Sequence, residues 1–361
     1  MSGMWGNKIK ISIFGESHGN AIGINIDGLE PGFEIDLAKV LDEMKRRAPG
    51  RNNLSTPRKE ADEPEILSGF FEGKTTGTPL CAIIRNNNTK SKDYGKLKDI
   101  MRPGHADYTG KIRYNGFNDY RGGGHFSGRI TAPLVFAGAI CKQILETKGI
   151  KIVSHIKSIG TIEDKSFLDE EITEDFVNSY MLKELPLIDE AKEEAMKKEI
   201  LLAKEELDSI GGTVECAVLG IEAGIGNPFF DSVESTLAHL MFSIPAVKGI
   251  EFGRGFELSK MRGSQANDAM YFAGEKVLTK TNNNGGILGG ITNGMPVIFK
   301  VAIKPTSSIL KTQNTVNINT GENTVLEVNG RHDPCIVQRA LPVIEAATAI
   351  GILDLIERGV F

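Results

Sequence analysis

The sequence has few cysteines, and none of them stand close together. Its 361 residues include four, Cys81, Cys141, Cys216 and Cys335, and no two form a Cys-x-x-Cys pair. This spacing favours neither a zinc site nor a disulfide framework, and no other metal site is indicated. We also find no apolar run of the ~18 residues that a membrane helix needs and no signal-peptide core. A reduced, soluble, cytoplasmic protein without a membrane partner is therefore expected.

An excess of positive charge is also missing. The formal net charge is −5, which disfavours nucleic acid as the main partner. The charges are uneven, however, with ten basic and four acidic residues over 85–129 but six basic and sixteen acidic residues over 163–208. An acidic protein that concentrates cations in one region is expected to bind a small polyanion. The alternative is a solvated surface whose charges are merely patchy.

Glycine and histidine are present where chemistry would need them. The chain has 41 glycines and six histidines, and three of the histidines lie in glycine-containing segments: 15–19 (GESHG), 102–109 (RPGHADYT) and 121–129 (RGGGHFSGR). Imidazole changes charge near neutral pH and so can donate or accept protons. Glycine allows a ligand to approach the backbone, and arginine binds phosphate or carboxylate in a planar fork. These segments indicate an active site for an anionic small molecule.

The hydropathy pattern predicts an α+β fold with mostly antiparallel sheets covered by helices. Residues 8–14 and 20–27 alternate like two strands of a hairpin, and Asp36 is placed to cap a helix. An acidic helical layer is expected at 160–210, with Ala191, Ala195, Leu202 and Leu207 facing inward. Further strands are predicted at 80–84, 213–221 and 296–303. Further helices are predicted at 131–145, from Ser232 or Glu234 to 241, and from Asp333-Pro334 to about 357. Pro342 would kink or break the last of these helices.

Two local patterns suggest other enzyme classes. The segment 15–19 matches Gly-x-Ser-x-Gly, the nucleophile turn of serine hydrolases, which would make Ser17 a nucleophile. That turn needs a strand before it and a helix after it, whereas the residues after it alternate like a strand. The segment 69–75 (GFFEGKT) is one residue short of a phosphate-binding loop, and its aromatic residues would crowd a phosphate. A third alternative is a non-catalytic protein that binds an anion or a flavin.

Three later segments complete the candidate site. Residues 282–290 (NNNGGILGG) are rich in turns, and 304–308 (KPTSS) place a cation and hydroxyl groups at the end of a predicted strand, which suits a phosphate monoester. Residues 331–334 (RHDP) lead into the last predicted helix, where Asp333 would be an ordinary helix cap. His155 and His239 are interpreted as packing or surface residues.

Taken in order, GESHG, RPGHADYT, RGGGHFSGR, NNNGGILGG, KPTSS and GRHDPC closely resemble the motifs of the chorismate synthase family. The resemblance covers nearly the whole chain, except for about 160–210. It implies a single domain over 1–361, with two antiparallel sheets and helices in a β-α-β sandwich, and a homotetramer.

The resemblance also implies an activity. Members of the family are carbon–oxygen lyases that convert 5-enolpyruvylshikimate 3-phosphate into chorismate and phosphate by an anti-1,4-elimination, the last step of the shikimate pathway to aromatic amino acids. They need reduced FMN, which donates electron density transiently although the reaction has no net redox change. NADPH would serve as reductant if the enzyme reduced its own flavin, but the compact chain favours an external reductant.

By resemblance, His18 would protonate the leaving phosphate, His105 would hold or supply a proton near N1 of the reduced flavin, and Asp333 would help to take the proton from flavin N5. Arg47 would also contact NADPH if it is used. His125 stands where many relatives have arginine, which leaves its contact open. The substrate would be bound by Ser17, Arg47, Arg51, Arg121, Ser127, Arg129 and Arg331. The flavin would be bound by His125, Phe126, Ser127, Gln265, Ala266, Gly289, Lys304, Pro305, Thr306, Ser307, Ser308 and Arg331.

Overall fold

The computed structural model describes residues 3–50, 54, 62–87, 98–181, 183–328 and 332–359. The strands are β1 (Met4–Trp5), β2 (Lys10–Gly15), β3 (Ala21–Asp27), β4 (Pro64–Ser68), β5 (Phe70–Phe71), β6 (Lys74–Thr75), β7 (Leu80–Arg85), β8 (Lys151–Ile159), β9 (Ile162–Glu163), β10 (Gly212–Leu219), β11 (Val247–Phe252), β12 (Met270–Ala273), β13 (Lys276–Thr279), β14 (Ile287–Leu288), β15 (Ile291–Thr292), β16 (Val297–Ile303), β17 (Gln313–Asn317) and β18 (Glu322–Leu326). The α-helices are α1 (Leu37–Arg47), α2 (Asp107–Arg113), α3 (Thr131–Thr147), α4 (Glu174–Tyr180), α5 (Glu193–Glu205), α6 (Val233–Ser243), α7 (Gly263–Ala266) and α8 (Val337–Glu357).

Two five-stranded antiparallel sheets form the framework. The first has the order β1-β2-β3-β7-β4 and the second β11-β16-β10-β8-β9. The predicted hairpin is confirmed, since β2 pairs with β3 from Lys10 opposite Asp27 to Gly15 opposite Ile22. The strands predicted around 213–221 and 296–303 are β10 and β16, which pair with each other. The α+β class with antiparallel sheets is therefore confirmed.

Helices lie between the two sheets. Helix α3 packs against β3 and β7 of the first sheet, α8 packs against β8 and β10 of the second, and the two helices pack against each other. Residues from both sheets and from these helices share one apolar core. An enclosed helix has no solvent-facing side, which explains why α3 is apolar around nearly its whole circumference. The layer order is sheet, helices, sheet.

The same enclosure corrects one expectation about membrane segments. By length and composition, Gly128–Thr147, which is α3 with the turn before it, is apolar enough to cross a membrane. Of its most apolar 18 residues, 78% are buried inside the protein. The run was missed because Arg129 and the polar residues at its ends interrupt it. Burial identifies it as a core helix.

A buried carboxylate ties the central helices together. Glu345 of α8 accepts hydrogen bonds from Arg46 Nη1 at 2.6 Å, Lys142 Nζ at 2.7 Å and Ser154 Oγ at 2.6 Å. Burial alone would raise the pKa of Glu345, but the charges of Arg46 and Lys142 more than offset it and hold that pKa well below its usual range. The ionised side chain thus joins α1, α3 and β8 to α8.

Two of the predicted helix starts are confirmed and one is wrong. Asp36 caps α1 by accepting from the backbone N–H groups of Ala38 and Lys39, and Ser232 caps α6. The last helix, in contrast, begins at Val337 and has no side-chain cap. Asp333 therefore does not cap it.

Pro342 lies inside α8, which continues unbroken to Glu357. A proline removes one main-chain hydrogen bond. Tertiary contacts compensate for that loss here, because α8 is buried on nearly every side.

The acidic region contains the predicted helices, but the predicted inward face is wrong. Met196, Ile200 and Ala203 are the buried residues of α5, whereas the predicted set of Ala191, Ala195, Leu202 and Leu207 is exposed. The buried set has the four- and three-residue spacings of a helix face, and Ala191, Ala195 and Leu202 have spacings of four and seven, which also fit one face. Periodicity alone therefore could not distinguish the two sets. The larger side chains of Met196 and Ile200 decide the phase, because they remove more apolar area from water than two alanines.

A fully buried histidine links the acidic region to the second sheet. His155 of β8 lies between two carboxylates, with Nδ1 3.1 Å from Asp164 Oδ2 and Nε2 2.9 Å from Glu215 Oε2. Burial would lower the pKa of His155, but the hydrogen bonds to Asp164 and Glu215 outweigh it and raise that pKa. Asp164 also accepts from the backbone N–H groups of Ile188 and Asp189. His155 is thus a packing residue, and His239 is exposed, as predicted for both.

Candidate active site

The turn between β2 and β3 presents Ser17 and His18, both of which are buried. Ser17 Oγ donates to the carbonyl of Gly122 at 3.0 Å, and the carbonyl of Arg121 lies 3.3 Å from the same oxygen. His18 Nδ1 lies 3.1 Å from Ser17 Oγ. A hydroxyl has only one proton, and here a carbonyl takes it, so His18 Nδ1 is the donor to Ser17. This contact orients the imidazole and assigns a proton to Nδ1.

The three glycines at 122–124 lie against both predicted catalytic histidines. All three have positive φ angles, between 53° and 85°. A Cβ on Gly122 would lie 2.1 Å from the His18 ring, and a Cβ on Gly123 would lie 3.0 Å from His105 Nε2. Any side chain here would displace a histidine, and the backbone conformation also favours glycine. Adjacent glycines therefore bring His18 and His105, 87 positions apart in the numbering, into one site.

His105 is held by a buried carboxylate. Its Nδ1 lies 2.6 Å from Asp107 Oδ1, and Asp107 also accepts from Arg102 Nε and Nη2, both at 2.7 Å. Because this carboxylate is charged and can only accept, His105 Nδ1 carries the proton and Nε2 is turned toward Gly123. Burial would raise the pKa of Asp107, but hydrogen bonds from Arg102 and His105 outweigh it and hold that pKa far below its usual range.

Arg102 and Asp107 belong to the motif 102–109, but no role was predicted for either residue. The sequence contained a signal for Asp107, because a histidine whose ring N–H donates to a nearby carboxylate is a recurring way to orient an imidazole. Here the carboxylate follows His105 by two residues.

The segment 304–308 lies beside the His105 turn. Arg102 Nη1 donates to Ser308 Oγ at 3.0 Å, and Lys304 Nζ donates to the carbonyl of Gly104. Thr306 Oγ1 donates to the main-chain oxygen of Asp333 at 3.0 Å. The structure thus joins the predicted flavin-binding segment to both the His105 turn and Asp333.

The chemistry of this segment fits a phosphate monoester such as the one that FMN carries. Burial, together with the charge of Lys248, lowers the pKa of Lys304. Within the residues that the structure describes, neither lysine forms an ion pair with a carboxylate, and the hydroxyls of Thr306, Ser307 and Ser308 stand nearby in sequence. Two ammonium groups close enough to repel each other, with hydroxyl donors beside them, favour an anion.

Two of the predicted substrate-binding arginines share one buried carboxylate, Asp62. Arg47 Nη1 donates to Asp62 Oδ2 at 2.7 Å, and Arg129 Nη1 donates to Asp62 Oδ1. Arg47 also donates to Thr131 Oγ1 and Arg129 to Asn86 Oδ1. Sequence reasoning missed Asp62 and Asn86, because nothing in their local patterns marks them as partners of these arginines.

The guanidinium groups of Arg129 and Arg339 lie close enough to Arg47 to act on its charge. Burial lowers the pKa of Arg47 to about 10, and the charges of Arg339 and Arg129 add to this effect, whereas Asp62 offsets it only in part. Arg339 also donates to the carboxylate of Asp333, which holds that side chain in place. Neighbouring cations in a buried place favour an anion that binds beside them.

The segment 121–127 contains a partly exposed arginine, Arg121, and a phenylalanine, Phe126, that packs against α2. Arg121 pairs with Asp119 through Nε at 2.9 Å and Nη2 at 2.7 Å, and 42% of its side chain is exposed. Ser127 Oγ accepts from the backbone N–H of Arg129 at 3.3 Å. Phe126 packs against Gly110, where a Cβ would lie 2.6 Å from its ring.

His125 has a contact that the sequence left open. The side chain is exposed, and its Nδ1 donates to the carbonyl of Gly15 at 2.9 Å. That hydrogen bond connects the triple-glycine segment to the turn that presents His18. At this position a histidine therefore helps to hold the two segments together.

A second group of predicted flavin-binding residues lies around 282–290. Asn283 Nδ2 donates to the carbonyls of Gln265 and Ala266 at 3.3 and 3.2 Å, and Asp268 accepts from the backbone of Asn283 at 2.8 Å. Gly289 has a φ of +62°, and a Cβ there would meet nothing within 4 Å. Among the described residues, no hydrogen bond joins this group to the segment 304–308. Arg51 and Arg331 lie outside the described residues.

The turn that contains Ser17 differs from the nucleophile turn of a serine hydrolase. A serine nucleophile turn leads from a strand into a helix, whereas the turn with Ser17 connects the antiparallel strands β2 and β3. Ser17 Oγ is directed at main-chain carbonyls 104 and 105 residues away in sequence. Ser17 is thus a positioning residue for His18, and the hydrolase hypothesis lacks the required geometry.

Comparisons with known proteins identify the family. A family model described as chorismate synthase matches residues 9–356. The chain is 45% identical to chorismate synthase of Thermococcus kodakarensis over 351 residues, which are 97% of this chain and 96% of that protein. It is 46% identical to chorismate synthase of Methanocaldococcus jannaschii over 368 aligned positions, covering 99% of this chain and 97% of that one. A crystal structure of chorismate synthase matches with a TM-score of 0.77 and 31% identity, covering 99% of this chain and 95% of the other.

Proposed function

Because the chain belongs to the chorismate synthase family, whose members are carbon–oxygen lyases, we propose that it converts 5-enolpyruvylshikimate 3-phosphate into chorismate and phosphate. The reaction is an anti-1,4-elimination in the biosynthesis of aromatic amino acids. The observation that carries the proposal is the placement of His18 and His105 against the adjacent glycines 122 and 123. This arrangement supplies two proton-transferring groups beside a cationic surface.

The cationic groups suit the proposed substrate, which carries two carboxylates and a phosphate. Arg47 and Arg129 bring two buried guanidinium groups to Asp62, and the guanidinium group of Arg121, which pairs with Asp119, is partly exposed. Planar guanidinium groups bind carboxylate and phosphate oxygens in pairs. An enzyme with a net charge of −5 can thus bind a polyanion, because its cations are concentrated at the site.

We propose that FMN binds along 304–308. Lys304 and the hydroxyls of Thr306, Ser307 and Ser308 would hold its phosphate or ring, which fits the two neighbouring lysine charges described above. Reduced FMN, when bound, would supply the transient electron density that lets phosphate leave, although the ring hydrogen lost at the other end of the 1,4-elimination is not acidic.

The chain's own residues manage the protons in this proposal. His18, oriented through Nδ1 by Ser17, delivers a proton from Nε2 to the leaving phosphate. His105, oriented through Nδ1 by Asp107, would hold or supply a proton at Nε2 for the reduced flavin. Asp333, fixed by Arg339, would help to take up the proton that the substrate loses. General acid–base catalysis of this kind contributes about 10²–10⁴-fold to a rate.

The proposal is tested by an anaerobic assay with the enolpyruvyl substrate and chemically reduced FMN. We expect release of phosphate and formation of chorismate, and no turnover with oxidised FMN alone. Product formation also excludes a non-catalytic flavin or anion carrier. Activity that persisted without any flavin would overturn the proposed mechanism. With NADPH as sole reductant we expect no turnover, because we propose that an external reductant is needed.

We also propose that the protein is a cytoplasmic homotetramer. Several large apolar side chains are heavily exposed, among them Phe229, Phe230, Phe256 and Phe272 at 80–91% exposure. Large apolar side chains that are this exposed support contact with other subunits. Light scattering of the purified protein measures the assembly directly, and a monomer mass would contradict it.

A further inference from the structure

His332 is a third histidine near the candidate site to which no role has been assigned. Its side chain is partly buried, and Nε2 is a buried atom without a hydrogen-bond partner among the described residues. In folded proteins, buried side-chain nitrogen and oxygen atoms nearly always have a partner. An imidazole nitrogen left without one beside an active site is expected where a ligand provides the missing partner.

The position of His332 points to the segment 304–308. The next residue, Asp333, accepts a hydrogen bond from Thr306 Oγ1 at 3.0 Å through its main-chain oxygen. The charge of Arg102 acts on His332, and Arg102 itself donates to Ser308 Oγ at 3.0 Å. The residue after His332 thus forms a hydrogen bond with this segment, and the arginine whose charge acts on His332 forms another.

The surroundings of His332 favour its neutral form. Burial lowers the pKa of His332, the charge of Arg102 lowers it further, and the opposing effect of Asp333 is smaller. A neutral imidazole has one donor and one acceptor nitrogen. Such a group is suited to an uncharged polar edge with N–H and C=O groups, as on the isoalloxazine ring, and less suited to a phosphate or carboxylate.

We propose that His332 is a flavin-contacting residue, whose Nε2 forms a hydrogen bond with the polar edge of the flavin ring bound beside 304–308. This inference rests on the proposed use of FMN. It adds a residue that holds and orients the ring, in addition to Lys304 and the hydroxyls of the segment. It assigns no proton transfer to His332.

The test compares two variants of His332 with the wild type. His332→Phe keeps a ring of similar size but removes the nitrogen, and His332→Gln places a polar atom near the position of Nε2. We expect His332→Phe to raise the Kd for oxidised FMN about tenfold, as for loss of one hydrogen bond, and to shift the visible absorption of the bound flavin. His332→Gln is expected to stay within about threefold of wild type. His239→Ala, an exposed histidine on α6, is the matched control and should bind FMN like wild type.

A second measurement observes binding to the wild-type protein and uses His332→Gln only to assign one signal. In wild-type protein labelled with ¹⁵N-histidine, the imidazole signal that is absent from His332→Gln should shift when FMN is added. An unchanged signal, or a folded His332→Phe variant with wild-type Kd and spectrum, overturns the inference while leaving flavin use intact. A wild-type protein that binds no FMN overturns the inference and the proposed function together.

Discussion

Two histidines in this protein bind carboxylates and have opposite roles. His155 has both ring nitrogens on carboxylates, Asp164 and Glu215, and is fully buried between the second sheet and the acidic layer. His105 has only Nδ1 on a carboxylate, and that carboxylate is shared with Arg102. Its Nε2 lies against Gly123. When both nitrogens bind carboxylates, the imidazole is a fixed charge; when one faces a glycine-lined space, a proton can move there.

The largest expected effect in this comparison is on stability. His155→Ala removes the shared cation of two buried carboxylates and should lower the free energy of unfolding by about 3–5 kcal/mol. Turnover per folded molecule should stay near wild type, because His155 lies outside the candidate site. Urea titration with a parallel activity assay measures both. A stable variant with reduced turnover would show that the two histidine regions are coupled.

The opposite pattern is expected at the site. His18→Ala and His105→Ala should each lower kcat by ~10² or more, because proton transfer is lost, with little change in the midpoint of urea unfolding. Stopped-flow kinetics under anaerobic conditions measures kcat and KM separately. His239→Ala serves as the control and should be fully active. If only KM rises, the two residues bind substrate and do not transfer protons.

The smallest effect is a dependence of stability on pH. The pKa of His155 is raised in the folded state, so its stabilising contribution is complete below its unfolded value of about 6.5 and is lost as pH rises through the folded value. Wild type should therefore lose stability relative to His155→Gln on going from pH 6 to alkaline pH, with a slope of up to about 1.4 kcal/mol per pH unit. Urea titrations of both proteins across this range provide the measurement, and parallel curves would contradict a charged His155.

Local sequence patterns predicted a large part of the fold. The alternation in 8–14 and 20–27 predicted the β2–β3 hairpin, Asp36 was predicted to cap a helix, and Ser232 was one of two predicted starts of another. These features depend on residues that are close together in the chain. Prediction was wrong where the deciding contact is distant, as for the start of α8 and for the phase of α5, which packs against β8.

The candidate site shows the same division between local patterns, which could be predicted, and distant contacts, which could not. Its motifs predicted roles for His18, His105 and the segment 304–308, because proton transfer and phosphate binding each need a recognisable residue type. Nothing in the sequence indicated that Asp62 joins Arg47 to Arg129 or that Gly122 meets His18. Those pairs are separated by 15, 67 and 104 residues, so only the folded chain brings them together.

The sequence by itself determined the chemistry that this protein can perform, since side-chain acidity, hydrogen-bonding capacity and local backbone preference belong to the residues and their neighbours. The tertiary structure alone decided which histidine holds a fixed charge and which faces a glycine. The reason is that burial and charge pairing depend on distance in space, and two sheets with helices between them set those distances.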